Sequence, residues 1–428
     1  MQPNTTYDVI IIGGGPAGMS AAIKAYEACK GKVLLIERND SLGGILPQCI
    51  HNGFGAVNFG NDLPGPEYAH RYEVELRKLP VDILLDTIVV DLTADHQVYA
   101  MNSTDGYLHF KAKAIVLAMG CRERTRAQIR LPGTRSAGIF TAGTVQRLVN
   151  IEGYMPGNEV VILGSGDIGM IMARRMSIEG AKVHAVLELL PYLTGLRRNY
   201  VQCLQDYGIP LHLSTTVNKI YGDKRVEGIE TVKVDENLQA IPGTEEFIKC
   251  DTLLLSVGLI PENELSRKAG VQLDPRTNGP IVDSDMATNV PGIYAAGNVT
   301  AIYDLADYVS KAGEVAGQSA AKYAESAARR DLKEHRTIRL KPGANIGSII
   351  PQEVFLEQDQ DHEVLLTMRP NALMERMVKI ELTAGDETVV SFREQYARPA
   401  EMIVHKLKAK DFEKLLSTDA TELVASIS

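Results

Sequence analysis

Two short glycine-rich stretches hold the residues best placed to do chemistry. In the first, Gly13-Gly14-Gly15-Pro16-Ala17-Gly18 follows the uninterrupted apolar run Val9 to Ile12 and opens a helical pattern. Gly13 permits a tight turn, Gly15 lets backbone approach a pyrophosphate, and Gly18 lets a helix lie close to a sheet. Pro16 and Ala17 belong to the same phosphate-facing turn. A second strand, Lys32 to Ile36, ends in Glu37, 37 − 18 = 19 residues past the last glycine, with Arg38 beside it. A carboxylate there accepts both hydroxyls of an adenosine ribose, while free N–H groups at the helix start hold the pyrophosphate. The second stretch repeats the device. Gly164-Ser165-Gly166-Asp167-Ile168-Gly169 follows the strand Glu159–Leu163, and the next strand, Lys182 to Leu187, ends in Glu188, again 188 − 169 = 19 residues on. Two dinucleotide sites are expected.

A third candidate is the glycine-dense segment from Ser41 to Gly55, which carries Gly43, Gly44, Cys49 and His51. It lacks clean periodicity and reads as a loop and short helix pressed against a ligand. Cys49 or His51 could tune a redox cofactor or relay protons. The plainer reading, a packed cysteine and a structurally bonded histidine, is preferred. The five cysteines, Cys29, Cys49, Cys121, Cys203 and Cys250, form no CxxC, which argues against a zinc pair and against a sequence-local dithiol. No metal site is expected.

The elements that must position these groups alternate strand and helix. Helix is expected around Glu67 to Leu79, strands at Val81–Leu85 and Ile88–Leu92, and a hairpin from Val98–Met101 to Tyr107–Lys111 through Asp105-Gly106. Ala114 to Met119 is a buried strand closing on Gly120, and Asp251 to Val257 echoes it, closing on Gly258. Gly292-Ile-Tyr-Ala-Ala-Gly297-Asn298 returns the chain to the first fold, followed by an Ala- and Gly-rich helix from about Leu305 to Ala328 that should pack tightly. Beyond residue 335, Val378–Leu382 and Val389–Phe392 flank Ala384-Gly385-Asp386 as a hairpin. The fold class is therefore α/β, with two nested Rossmann-like domains of the three-layer ββα kind and a small, mostly β C-terminal domain. The expected boundaries are 1–122 with 263–334, 123–262, and 335–428. A chain of 428 residues with net charge −9 has room for several cores and disfavours a nucleic-acid or anionic-membrane partner. No stretch reads as a signal peptide or membrane span, so the cytoplasm is expected.

These motifs, in this order, resemble the pyridine nucleotide-disulfide oxidoreductase superfamily over about residues 5–330. The resemblance implies FAD on the first fold, with Gly120, Gly297 and Asn298 completing its site, and NAD(H) on the second. The return segment of that family normally ends Gly-Asp, its carboxylate on the flavin's ribityl chain; Asn298 stands there instead, and an amide both accepts and donates. The family's two redox cysteines would fall on Leu46 and His51, so thiol–disulfide exchange is not expected from this segment. Gly43–Gly55, Gly120 to Arg126, Gly138 to Gly143 and Gly297-Asn298-Val299 further resemble a bacterial subgroup that accompanies glycerol-3-phosphate dehydrogenase. That subgroup is related to the flavin subunits of opine oxidase and hydrogen cyanide synthase. Glu188 implies NADH in preference to NADPH, because it bonds a 2′-hydroxyl and repels a 2′-phosphate.

The leading reading is an FAD-dependent oxidoreductase that exchanges hydride with NAD(P)H and works with a partner dehydrogenase. One alternative is an electron-transfer subunit of a glycerol-3-phosphate, amine or opine dehydrogenase with no activity alone; another is a non-enzymatic FAD-binding adaptor. A homo-oligomer is also compatible. Among the remaining candidates, the arginines at 122, 124, 126, 130 and 135 could clamp a cofactor phosphate, steer an acidic partner, or simply be a solvated crossing between domains, the reading preferred. Arg197 and Arg198 could reach an adenosine phosphate or be surface charges. Asp304 and Asp307 are expected to cap the helix that follows. Tyr303 and Tyr308 are expected in core or rim.

Overall fold

The computed structural model describes residues 5–326, 336–356 and 364–428. The chain divides into two compact units, residues 1–121 with 261–428, and residues 122–260.

In the first unit, five runs, most of them wholly or nearly apolar, pair in parallel, as strands covered on both faces do. Their order is Asp82–Leu84, Val33–Ile36, Thr5–Ile12, the upper half of Gly106–Leu117, and Ile293–Ala295. Val9 lies opposite Val33 and Ala114, and Ile12 opposite Ile36 and Leu117. The lower half of Gly106–Leu117 pairs antiparallel with Gln97–Asn102, which pairs in turn with Ile88–Leu92. The two segments expected as separate strands, 107–111 and 114–119, are thus one continuous strand that serves both sheet directions. Helix Pro16–Cys29 packs against helix Ala306–Glu325 at near backbone contact. A Cβ on Gly313 would lie 2.2 Å from the Ala17 carbonyl, and one on Gly317 2.1 Å from that of Ala21. The small-residue composition of the late helix is what lets it clamp helix Pro16–Cys29 this closely. Its expected end at Ala328, and the boundary at 334/335, lie outside the described residues.

The C-terminal β-rich region belongs to this unit. Its five-stranded sheet runs Glu353–Leu356, Arg336–Pro342, Glu422–Ile427, Val378–Ala384, Glu387–Glu394; a three-stranded sheet runs Ile346–Ile350, Val364–Pro370, Ile403–Leu407. The hairpin at Gly385, φ +58°, is where the sequence places it. The region has a core of its own, including Ile338, Leu366, Ile380 and Leu423. Arg369 fastens it to the rest of the unit through both oxygens of Asp304 (3.0 and 2.6 Å) and the Ile302 carbonyl.

The second unit is built on the parallel order Ile139–Thr141, Thr252–Leu255, Glu159–Leu163, Lys182–Leu187, Leu211–His212, with helix Asp167–Ile178 after the glycine turn. Three antiparallel strands, Thr215–Tyr221, Gly228–Lys233 and Glu246–Ile248, complete it.

Candidate functional site

The first glycine turn has the shape its sequence requires. Gly13 has φ +109°, and a Cβ on it would lie 2.3 Å from the Ala118 carbonyl oxygen, so no other residue fits. A Cβ on Gly18 would lie 1.7 Å from the Gly13 carbonyl oxygen, which fixes how closely the helix approaches the strand. Gly15 differs: its Cβ would meet nothing nearer than the Cα of Gly44, at 3.9 Å. The chain therefore leaves room above Gly15, at the start of helix Pro16–Cys29, with Pro16 in the first turn where its missing N–H costs nothing. Gly43 and Gly44, at φ +108° and +59°, bend the following loop back over this turn, and the Gly43 N–H donates to the Gly14 carbonyl.

Glu37 is buried at the end of its strand. Its Oε2 accepts the Gly14 N–H at 2.6 Å and its Oε1 accepts the Asn39 N–H at 2.9 Å. Each oxygen thus carries one donor and keeps one acceptor site for a ligand hydroxyl. Arg38 is 60% exposed and only 4.0 Å from Glu262, an ion pair too open to fix it. At the far end of the turn, Gly120 (φ +69°) has open space where a Cβ would stand. Asn298 Oδ1 accepts the Tyr303 N–H at 3.1 Å while its Nδ2 points at Cys121 Sγ, 3.6 Å away.

The second turn repeats the first. A Cβ on Gly164 would lie 2.0 Å from the Ser256 carbonyl oxygen, one on Gly169 2.7 Å from the Gly164 carbonyl oxygen, and one on Gly166 no nearer than 3.3 Å to the end of the Ser256 side chain. Glu188 is buried and takes four donors. The Ser165 N–H (2.9 Å), Ser165 Oγ (2.6 Å) and Thr194 Oγ1 (2.9 Å) reach Oε2, and the Leu190 N–H (3.0 Å) reaches Oε1. Asp167 Oδ1 accepts the Leu196 N–H and Asn199 Nδ2, so it anchors the loop after Glu188. Ile168 packs into the core beneath.

With both constellations in place, a family model described as pyridine nucleotide-disulphide oxidoreductase matches residues 7–314. The chain belongs to this family. It is 27% identical over 344 residues to a subunit of the opine oxidase of Agrobacterium tumefaciens, covering 74% of this chain and 64% of that protein. The chain thus spans less than two thirds of that relative's length. It is 28% identical over 334 residues to thioredoxin reductase of Listeria monocytogenes, covering 77% of this chain and 95% of that one. The solved thioredoxin reductase of T. acidophilum superposes with a TM-score of 0.61 at 26% identity, over 76% of this chain and all of that one. The pyridine nucleotide-disulphide oxidoreductase family binds FAD and uses pyridine nucleotides, and the open space over Gly15 and the two half-engaged oxygens of Glu37 fit a dinucleotide's pyrophosphate and ribose.

The other candidates separate from these. Cys49, at the end of the one-turn helix Leu46–Gln48, is buried, and its thiol donates to the Ile45 carbonyl at 3.4 Å. Its Cβ stands where a side chain on Gly65 would collide, at 2.8 Å. His51 Nδ1 lies 2.9 Å from the Asn52 carbonyl and its ring tilts against Phe54. None of the five cysteines forms a disulfide. The expectation that Asp304 and Asp307 cap a helix is corrected: helix Ala306–Glu325 starts at Leu305 with no side-chain cap. Asp304 is taken by Arg369, and Asp307 turns away to accept the N–H groups of Gly55 and Asn58 at 3.0 and 2.8 Å. A carboxylate bonds whichever unpaired backbone donors face it, and here those belong to the loop carrying His51. Arg126 is likewise no solvated crossing charge, because its guanidinium binds the carbonyls of Leu131 and Gly133. Arg197 and Arg198 are exposed, and Tyr303 is buried.

Sequence reasoning missed Ser165 and Thr194, which reach Glu188 through side chains. Counting residues from each acid in the two halves would have exposed them, since Thr194 occupies the place of Gly43.

Proposed function

We propose that this chain is an FAD-dependent oxidoreductase that holds FAD on its first fold, exchanges hydride with NADH on its second, and passes electrons to or from a partner dehydrogenase. The observation that carries the reading is the duplication itself: two glycine turns of the same spacing, each with a buried glutamate bonded to the second residue of the turn, and in the first an open central glycine. The flavin ring supplies the hydride chemistry when bound. The protein's residues bind and orient. Gly15 leaves room for phosphates, Gly166 meets nothing nearer than the movable end of the Ser256 side chain, the two glutamates take ribose hydroxyls, and Asn298 addresses the ribityl side.

A partner is supported by three features. The opine oxidase relative is by its name one part of a larger enzyme. The segment bearing Cys49 and His51 exposes Ile45 (56%), Ile50 (44%) and Val57 (50%), apolar surface that a docking protein would cover. Cys49 has no second cysteine at a family position to make a dithiol, so electrons have no internal stop after the flavin. The resemblance to the subgroup accompanying glycerol-3-phosphate dehydrogenase suggests a partner of that kind. Cysteines left outside disulfides suit a reducing compartment, which supports a cytoplasmic setting.

Anaerobic mixing with NADH tests the reading. The flavin absorbance should bleach after one equivalent of NADH per FAD, and equally in Cys49→Ser. Bleaching only with a partner present identifies an electron-transfer subunit. Flavin that stays oxidised throughout refutes the enzyme and leaves an adaptor.

A further inference from the structure

The two folds match position by position around their acids. Gly14 and Ser165 are the second residues of the two turns; Asn39 and Leu190 each lie two residues beyond the acid, and Gly43 and Thr194 six beyond. The backbone repeats as well. The N–H of the turn's second residue donates to Oε2 in both (2.6 and 2.9 Å), and the N–H two residues past the acid donates to Oε1 in both (2.9 and 3.0 Å). Only the side chains differ. Where the first fold has two glycines, the second has two hydroxyls, and both are spent on the acid, Ser165 Oγ at 2.6 Å and Thr194 Oγ1 at 2.9 Å.

A carboxylate has about four acceptor sites. Glu37 has used two and keeps one on each oxygen, which matches the paired hydroxyls of a ribose. Glu188 already has four donors, three crowded on Oε2 and one on Oε1, so the one lone-pair place left is on Oε1. The Thr194 proton also has a second acceptor within reach, Ser165 Oγ at 3.0 Å. It can therefore yield Oε2 to an incoming hydroxyl, but the ribose must displace it first.

We propose that Ser165 and Thr194 set the affinity of the second site, by occupying the ribose-binding sites of Glu188 so that its dinucleotide binds weakly and exchanges. Glu37, without such competitors, retains its own dinucleotide. This deepens the proposed function and rests on its assignment of the second fold to NADH. The design suits a protein that must keep one dinucleotide through many turnovers and release the other after each.

The test is NADH and NADPH affinity by titration calorimetry on the full chain as purified with its flavin, for wild type, Thr194→Val, Ser165→Ala and Thr194→Ser. Each hydroxyl deletion should tighten NADH about three- to tenfold, the scale of one net hydrogen bond. NADPH should not gain, because its 2′-phosphate cannot use a freed carboxylate site. Thr194→Ser, which keeps the hydroxyl, should bind like wild type. Ser165 is wholly buried, so should Ser165→Ala misfold by circular dichroism, partly exposed Thr194→Val carries the test alone. Unchanged or weaker NADH binding in Thr194→Val, with wild type binding normally, overturns the proposal and leaves the function standing. NADH binding that appears only in the variants supports it. No NADH binding by any form overturns the proposal and the NADH assignment together.

Discussion

Gly15 and Gly18 lie three residues apart, yet replacing each by alanine should fail in opposite ways. Gly18→Ala places a Cβ 1.7 Å from the Gly13 carbonyl oxygen, so the helix must retreat from the strand by more than an atom's radius. Overpacking of this kind costs about 3 kcal/mol or more. In a domain of 150–250 residues, that lowers Tm by roughly 6–12 °C. Gly15→Ala meets nothing closer than 3.9 Å, and its backbone, φ −74° and ψ −173°, is open to any residue. Alanine at a helix N-cap costs about 0.5–1 kcal/mol relative to glycine, and the stiffer unfolded chain returns about 0.4–1 kcal/mol, so stability should barely move. The methyl group instead fills the space left for a pyrophosphate. Losing one charge-assisted N–H contact there costs about 1.5–3 kcal/mol, roughly 10- to 150-fold in FAD affinity. Stability must be compared with flavin stripped from all three proteins, because bound FAD raises Tm by itself. Calorimetry then gives Tm, and fluorescence titration gives FAD affinity. Gly15→Ala that binds FAD as wild type does, or Gly18→Ala with an unchanged Tm, would refute the reasoning.

Glu188 should favour NADH over NADPH in kcat/KM by at least tenfold, through about 1.4 kcal/mol of charge repulsion, and Glu188→Gln should narrow the ratio. Equal values in the wild type would remove Glu188 as the discriminating residue. Burial holds the His405 imidazole below its ordinary 6.5, outweighing Glu394 at 3.1 Å. The unfolded chain then takes the extra proton first, so stability should fall as pH drops below about 6.5. His405→Phe, which keeps a ring stacked on Phe392, should flatten that part of the dependence of the urea midpoint on pH.

Period and punctuation made the nucleotide-binding parts readable from sequence. The strands Glu159–Leu163 and Lys182–Leu187 stand where the apolar runs place them, because a buried parallel strand tolerates no polar interruption. Gly13 and Gly18 could be assigned because only glycine survives at their contact distances. The role of Asp307 was not readable. Its partners, Gly55 and Asn58, lie 252 and 249 residues away in the chain, and a carboxylate near a helix start looks like a cap until the loop is in place. The same holds for Asp304 and Arg369, joined across 65 residues by the docking of the C-terminal sheets. Local propensity describes what a segment can do with its neighbours in sequence. It is silent on which distant donors arrive.

Asn298 shows what a departure from a family pattern does locally. The amide accepts the Tyr303 N–H with one end and donates toward Cys121 with the other, two bonds of opposite sense that a carboxylate cannot make together. An aspartate here would keep the Tyr303 bond but turn an acceptor and a negative charge toward the Cys121 side. Under the proposed function the flavin's ribityl chain lies beside this residue, so the charge would act on the reduced flavin. For illustration, two like unit charges about 8 Å apart at an effective dielectric of about 20 oppose each other by about 2 kcal/mol. For a two-electron couple this is roughly 45 mV. Asn298→Asp should therefore lower the flavin midpoint potential by some tens of millivolts, read by spectroelectrochemistry in the absence of NADH. Asn298→Ser, which stays neutral, should leave it within about 10 mV, or roughly 0.5 kcal/mol. A potential that rises, or that fails to distinguish the two variants, would show that residue 298 does not act on the flavin through charge.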